Sequence, residues 1–222
     1  KCIKDSFYAY EKEDGKVLYD VVNDQVVFDF IHWLDTNLWS NMEILDSELK
    51  RFRSACFDFY YKKTLSRISK YHEKHQIKDQ SAYINGTKVS SIEKMLGLID
   101  WDYMSCGIVS NFHGDLQFDN VIIKDDGDFL LLDWRQDFSG IVNYGDQYYD
   151  LAKLNGGMQV SYKLIKQGKF SYHKDSQGKV IIAHDVPKEL IRSGKIFGNF
   201  LNNKGLDITK VSATIDQRKT SL

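Results

Sequence analysis

Residues 110–138 read Ser-Asn-Phe-His-Gly-Asp-Leu-Gln-Phe-Asp-Asn-Val-Ile-Ile-Lys-Asp-Asp-Gly-Asp-Phe-Leu-Leu-Leu-Asp-Trp-Arg-Gln-Asp-Phe. Two apolar runs, Val121 to Ile123 and Phe129 to Leu132, flank Asp125-Asp126-Gly127, which is turn chemistry because Gly takes positive φ at no steric cost. The pattern predicts a β-hairpin. A hairpin returns the chain to its starting end, so Asn120, before the first strand, and Asp133, after the second, arrive side by side. Asp115 lies five residues before Asn120 in the run His113-Gly114-Asp115. Two carboxylates and an amide thus converge on one end of the hairpin.

These groups supply the parts of a phosphoryl-transfer site. One Asp takes the proton of an attacking hydroxyl, while the amide and the second Asp hold Mg²⁺, a hard cation that prefers oxygen ligands and completes its octahedron with phosphates and water. A further motif, Gly145-Asp146-Gln147-Tyr148-Tyr149-Asp150-Leu151-Ala152, follows downstream. The three motifs in this order resemble the aminoglycoside phosphotransferase and choline kinase-like family, small-molecule kinases that share the protein-kinase fold. His-Gly-Asp stands where protein kinases have His-Arg-Asp, and Asp133-Trp134-Arg135 where they have Asp-Phe-Gly. Gln147 departs from the family's usual Pro. The resemblance covers residues 110 to 152 well and the flanks by general pattern only.

The resemblance implies an α+β, mainly helical fold: the C-terminal lobe of a protein-kinase-like fold with a catalytic β-hairpin. It implies ATP and Mg²⁺ as cofactors and a small molecule with a hydroxyl group as acceptor: choline, an amino-alcohol, a sugar or an aminoglycoside-like compound. Asp115 becomes the catalytic residue and Asn120 and Asp133 the metal ligands that carry the nucleotide. His113 fixes the loop rather than serving as a second base. An acid at the start of the following helix supports the loop backbone, with Asp150 preferred and Asp146 the rival. Arg135 either recognises an anionic group on the substrate or pairs with Asp137, and nearby opposite charges favour the ion pair. Tyr148 is a substrate-contact candidate, and Tyr144, Tyr149 and Trp134 offer a cation-π cage, with aromatic core packing as the default.

No phosphate-cradling Gly-rich loop and no strand Lys with a helix Glu partner precede residue 113. The resemblance therefore implies a remnant of the inter-lobe hinge over residues 1–22 and a helical catalytic lobe over 23–222. Residues 6 to 22 hold two strand-like runs around Glu13-Asp14-Gly15-Lys16. Tyr8 to Lys12, with Tyr10 and Glu11, is either the hinge whose backbone meets adenine or a plain surface hairpin.

The chain of 222 residues is 42% hydrophobic and 14% aromatic, enough for a sizeable core. With 30 basic and 31 acidic residues the net charge is −1, so no overall field points to nucleic acid or to an anionic membrane. The balance also argues against a site built for highly cationic aminoglycosides. No run reaches the length of a membrane span, and Lys1 to Asp5 lacks the apolar core of a signal peptide. Cys2, Cys56 and Cys106 show no Cys-x-x-Cys pairing and read as reduced cytoplasmic thiols.

Periodicity places a helix over 24–39 on Val27, Phe28, Ile31, Leu34 and Leu38. A long helix follows from Asp46 or Ser47 as N-cap, with apolar stripes on two faces. Residues 76 to 90 read as a polar loop turning at Asn85-Gly86, and Ser91 to Ile99 as a short helix capped by Ser90 or Ser91. Helix resumes at Asp150 to Leu154 with Gly156-Gly157 as a C-cap, and again over 158–168. A second hairpin turns at Asp175 to Gly178, Pro187 opens another helix that Gly205 ends, and Asp207 caps a last segment.

Two rivals stand against the kinase. A degenerate, non-catalytic kinase-like scaffold is opposed by the intact Asp115, Asn120 and Asp133. A two-metal phosphoesterase needs more histidine ligands than six His in this arrangement supply.

Overall fold

The central hairpin forms as read. In the computed structural model, which describes residues 2–4, 7–9, 12–160 and 162–212, Val121 pairs with Leu131, Ile122 with Leu130 and Ile123 with Phe129. The architecture is α+β, with more helix than strand and several small sheets.

In chain order, β1 (Cys2–Lys4) and β2 (Phe7–Ala9) pair with each other, and β3 (Gly15–Val17) leads to α1 (Asp24–Asn37). Asn23 caps α1 by accepting the Val26 N–H at 3.1 Å. Next come α2 (Asp46–Phe57), a π-helical turn over Asp58–Lys62, and α3 (Lys63–His75), a single helical rod. Then follow β4 (Ala82–Ile84), β5 (Thr87–Val89), α4 (Ile92–Leu96), α5 (Trp101–Ser105) and β6 (Val109–Ser110). The hairpin strands are β7 (Val121–Lys124) and β8 (Phe129–Leu131). After them stand β9 (Gly145–Asp146), α6 (Gln147–Gln159), α7 (Tyr162–Lys166), β10 (Phe170–Lys174), β11 (Val180–His184) and α8 (Lys188–Asn203).

The early strands do not fold about Glu13 to Lys16. β3 instead pairs antiparallel with β7, Lys16 opposite Ile123, and makes the hairpin a three-stranded sheet. That choice buries Leu18 completely against Phe118 and Val121, an apolar gain no exposed hairpin offers. Tyr10 and Glu11, expected at the hinge, lie outside the described residues.

Other departures have equally local causes. Phe28 is 47% exposed; the buried face of α1 is Val27, Phe30, Ile31 and Leu34. The cap of α2 is Leu45, whose N–H donates to Glu48 at 3.2 Å, so neither Asp46 nor Ser47 is used. The polar stretch 76–90 holds β4 and β5 about the Asn85-Gly86 turn, because Asn85 bonds across to Ile182 in both directions and β11 supplies a neighbour strand. Gly156-Gly157 lies inside α6, which starts three residues before Asp150. Ser91, Asp100 and Asp207 cap as helix-end residues do, accepting from Lys94, Tyr103 and Lys210 respectively. Among the described residues no helix is long and apolar enough to cross a membrane.

Two apolar clusters hold the site loop between them. One joins α1, the central hairpin, α6 and α8 through Phe30, Phe118, Val121, Leu151 and Phe197. The other joins α2 and the π turn to residues 138–149 through Phe52, Phe59, Phe138 and Tyr149. Phe112 belongs to the second, while Leu116 and Phe118 belong to the first. Each such large side chain contributes about 1.5–3 kcal/mol on burial, so residues 113–115 are stretched between two fixed anchors.

Candidate active site

Asp150 organises the loop. Its two carboxylate oxygens accept the backbone N–H groups of His113 and Gly114, each at 2.7 Å, and the Trp39 indole N–H at 3.4 Å. Burial pushes its pKa up to about 6, against the pull of those donors. Asp146, the other acid of that motif, works one step away. It accepts the Ile108 N–H at 2.9 Å, the Tyr148 N–H at 3.0 Å and the Tyr60 hydroxyl at 2.7 Å, joining the start of α6 to β6 and the π turn. Its carboxyl is likewise raised by burial, which outweighs the three donors.

His113 is fully buried and uses both ring nitrogens within the loop. The Asp115 N–H donates to Nδ1 at 3.1 Å, so Nδ1 is the acceptor and Nε2–H donates to the Leu132 carbonyl at 2.6 Å. Burial lowers its pKa despite that carbonyl, which agrees with a neutral imidazole. Neither nitrogen is left to take a substrate proton, and the ring instead ties the loop to the end of β8.

The hairpin brings Asn120 to Asp115 and returns the backbone before Asp133 to Asn120. Leu132 N–H donates to the Asn120 carbonyl at 2.8 Å, closing the hairpin so that Asp133 emerges next to Asn120. The Asn120 side-chain NH₂ donates to the Asp115 carbonyl at 2.9 Å and approaches its carboxylate at 3.4 Å. That orientation turns the Asn120 amide oxygen away from Asp115. Asp133 adopts φ 56°, a left-handed conformation uncommon for a residue other than Gly, and its carboxylate is exposed. Among the described residues neither that carboxylate nor the Asn120 oxygen accepts a hydrogen bond.

This donor set fits Mg²⁺: two hard oxygen ligands without protein partners, few enough to leave room for water and phosphate. Among the described residues no group of three or more His, Cys, Asp or Glu gathers as a metal cage. Asp115 forms an ion pair with Lys153 of α6 and accepts the Gln117 NH₂ at 3.0 Å. Burial pushes its pKa up, but Lys153, Gln117 and Arg135 together outweigh that and the net shift is downward. A cleft of ≈ 600 Å³ opens beside it, lined by Val17, Asp20, Gln117, Asn120, Lys163 and Lys166.

Arg135 does not form the expected ion pair with Asp137. Its Nε donates to the Gly114 carbonyl at 3.1 Å and its N–H to the His113 carbonyl at 2.9 Å, while Asp137 accepts the Gly140 N–H at 2.7 Å. The guanidinium is turned to the Gly114 carbonyl instead of Asp137, and the His113 carbonyl takes the Arg135 backbone N–H. Tyr148 is buried, its hydroxyl accepting the Asp207 N–H at 3.1 Å, and is not among the groups gathered at Asp115. Tyr144 and Tyr149 are buried too, and Trp134, 51% exposed, leans on His113 with ring centroids 5.0 Å apart. No aromatic cage forms from these four, because three of them are core.

Lys153 escaped the sequence reading. The available signal was its place three residues after Asp150, since that spacing puts both on one helix face, the face turned to the loop. Tyr60 and Trp39, the neutral donors to the two buried acids, carried no local signal. No family model matches the chain, and no curated protein and no solved structure matches it.

Proposed function

We propose that this chain carries the catalytic lobe of a small-molecule kinase that moves the γ-phosphoryl group of ATP to a substrate hydroxyl. The observation that carries the reading is the two-oxygen grip of Asp150 on His113 and Gly114, which fixes Asp115 beside the Asn120 and Asp133 end of the hairpin. A chain using these residues only as turn formers has no need to bury a carboxylate for that purpose.

Asp115, kept ionised by Lys153, orients the acceptor hydroxyl and takes its proton. The hydroxyl oxygen bonds to the γ-phosphorus as the bond from that phosphorus to the ADP oxygen breaks. Asn120 and Asp133 would hold Mg²⁺, which when bound neutralises charge spreading over the phosphate oxygens. His113 and Asp150 hold the loop at the spacing this requires.

A non-catalytic kinase-like binding protein is the second reading, favoured by the ion pair that occupies the Asp115 carboxylate. Phosphoryl transfer from ATP–Mg²⁺ to a panel of hydroxyl compounds, measured with full-length protein, separates the two. Transfer that disappears with Asp115→Asn supports the kinase. Nucleotide binding with no transfer to any acceptor supports the binding protein.

A further inference from the structure

Four cations act on one another near the loop: Lys63 and Arg67 of α3, Arg135 after β8, and Lys153 of α6, which pairs with Asp115. Lys63 Nζ sits 4.0 Å from the centroid of the Phe59 ring, and the Arg135 guanidinium carbon sits 5.2 Å from the same centroid. Arg135 is also 5.7 Å from the Tyr149 ring. The π turn sets this up by burying Phe59 where a regular helix would have rotated it. Lys63 and Arg67 share one helix face, four residues apart.

Lys153 is paired with Asp115, but among the described residues no carboxylate forms an ion pair with Lys63, Arg67 or Arg135. Asp137, whose charge acts on Lys63, is engaged by the Gly140 N–H. Arg135 uses Nε on Gly114, and its terminal nitrogens have one long contact, 3.5 Å to the Tyr149 hydroxyl. Most of its five donors are therefore open. Burial and then the repulsion of Arg135 and Arg67 pull Lys63 down to about 8, against Asp137. Like charges held together without a counter-ion destabilise a fold, and ring faces attract cations too weakly to cancel that. An anionic ligand offsets it.

We infer that this cluster binds an oxyanion on the acceptor substrate itself, so that the compound phosphorylated at Asp115 is a hydroxyl compound already bearing a phosphate group. The inference rests on the kinase reading for its substrate role, and on the cluster alone for anion binding. A cationic amino-alcohol or aminoglycoside meets repulsion at this face.

The test separates these two layers. Inorganic phosphate and glycerol 1-phosphate are titrated into the protein without nucleotide, and the Lys63 side-chain resonance is followed. Binding should saturate, return the Lys63 titration toward its ordinary 10.5, and weaken roughly tenfold in Lys63→Gln and Arg67→Gln, the cost of one charged contact. Both substitutions touch neither Gly114 nor Asp115, and unchanged thermal unfolding shows that the variants remain folded. No saturable shift in the folded protein overturns the site. Displacement of phosphate one for one by ATP–Mg²⁺ assigns the cluster to the nucleotide and overturns it as an acceptor site. Saturable phosphate binding with no phosphoryl transfer sinks the kinase reading while the anion site stands. Transfer to glycerol as efficient as to glycerol 1-phosphate leaves the kinase reading standing and overturns the cluster as an acceptor site.

Discussion

The backbone N–H of Gly114 donates to one oxygen of the Asp150 carboxylate while the N–H of His113 donates to the other, both at 2.7 Å. A fully buried acid thus replaces water as the acceptor for two consecutive amides, and the direction in which Asp115 leaves the loop follows from it. The folded protein raises the Asp150 pKa from its ordinary 3.8 to about 6, so the folded state binds the proton more tightly than the unfolded chain. The resulting stability is fully present below the ordinary value and is lost as pH rises through about 6. That loss is about 3 kcal/mol at the rate of about 1.4 kcal/mol per unit. Asp150→Asn removes the titrating group, so the difference in unfolding free energy between wild type and variant should shrink by about that amount from pH 4 to 7. Urea unfolding at both pH values checks it, and parallel pH profiles would refute it.

Gly114 has φ +84°, and a Cβ placed there meets the Arg135 Cβ at 2.4 Å and the Phe112 ring at 2.9 Å. The first contact is with an atom next to the backbone, which cannot swing aside. Gly114→Ala should therefore destabilise by about 2–4 kcal/mol, combining left-handed strain with overpacking. A melting temperature within a degree of wild type would show that the loop has room that this geometry denies.

Tyr60 and Asp146 form the second buried pair, hydroxyl to carboxylate at 2.7 Å. Removing the hydroxyl leaves that oxygen facing only the Cys56 thiol at 4.0 Å. Tyr60→Phe should cost about 1–3 kcal/mol, because a buried acceptor loses its partner without gaining water. The Asp146 pKa, already raised by burial, should rise further once the hydroxyl no longer opposes it. Carboxyl resonances followed by NMR through a pH titration read this directly, and a downward shift would contradict the assignment.

The central hairpin, α1 and α8 were legible because each obeys one period and carries its own caps or turn residues. The loop geometry was partly legible: the spacing from Asp115 to Asn120 to Asp133 is local once the hairpin is granted. The pairing of β3 with β7 was not, since it joins residues over a hundred positions apart and leaves no local mark. Nor was the fate of Arg135. Asp137, two residues on, offered an ion pair, but the Gly114 carbonyl that takes the guanidinium instead is positioned only after the chain has folded. The same holds for Lys153 and for the cations around Phe59, which come from three separate elements.

Lys153 gives the acid side of the pH profile a defined sign. Burial alone raises the Asp115 pKa, and Lys153, with help from Gln117 and Arg135, turns the net shift downward. In Lys153→Met the carboxylate loses its paired cation, Asp115 holds its proton to higher pH, and the acid limb of kcat/KM should move upward. An unmoved limb in a folded variant would mean that another group sets the profile.

Asp115 and Asp133 should fail in different ways. In the proposed reaction Asp115 faces the acceptor, so Asp115→Asn would remove the proton acceptor without disturbing the groups assigned to the nucleotide. Turnover should fall by about 10²–10⁴ with ATP affinity nearly intact. Asp133 is exposed, unpartnered among the described residues, and held at φ 56° at the mouth of the hairpin. Its carboxylate therefore serves whatever occupies the site rather than the fold. Asp133→Ala should leave thermal stability unchanged or slightly lower, because no protein contact is lost but Ala tolerates the left-handed conformation less well than Asp. The same variant should weaken nucleotide binding in the presence of Mg²⁺ and leave the weak binding measured in EDTA unaffected. Titration of a fluorescent ATP analogue with and without Mg²⁺ distinguishes these cases. An Asp133→Ala protein that retains full Mg²⁺-dependent affinity would detach Asp133 from the metal and leave Asn120 as the sole ligand from this chain, too few to define a site.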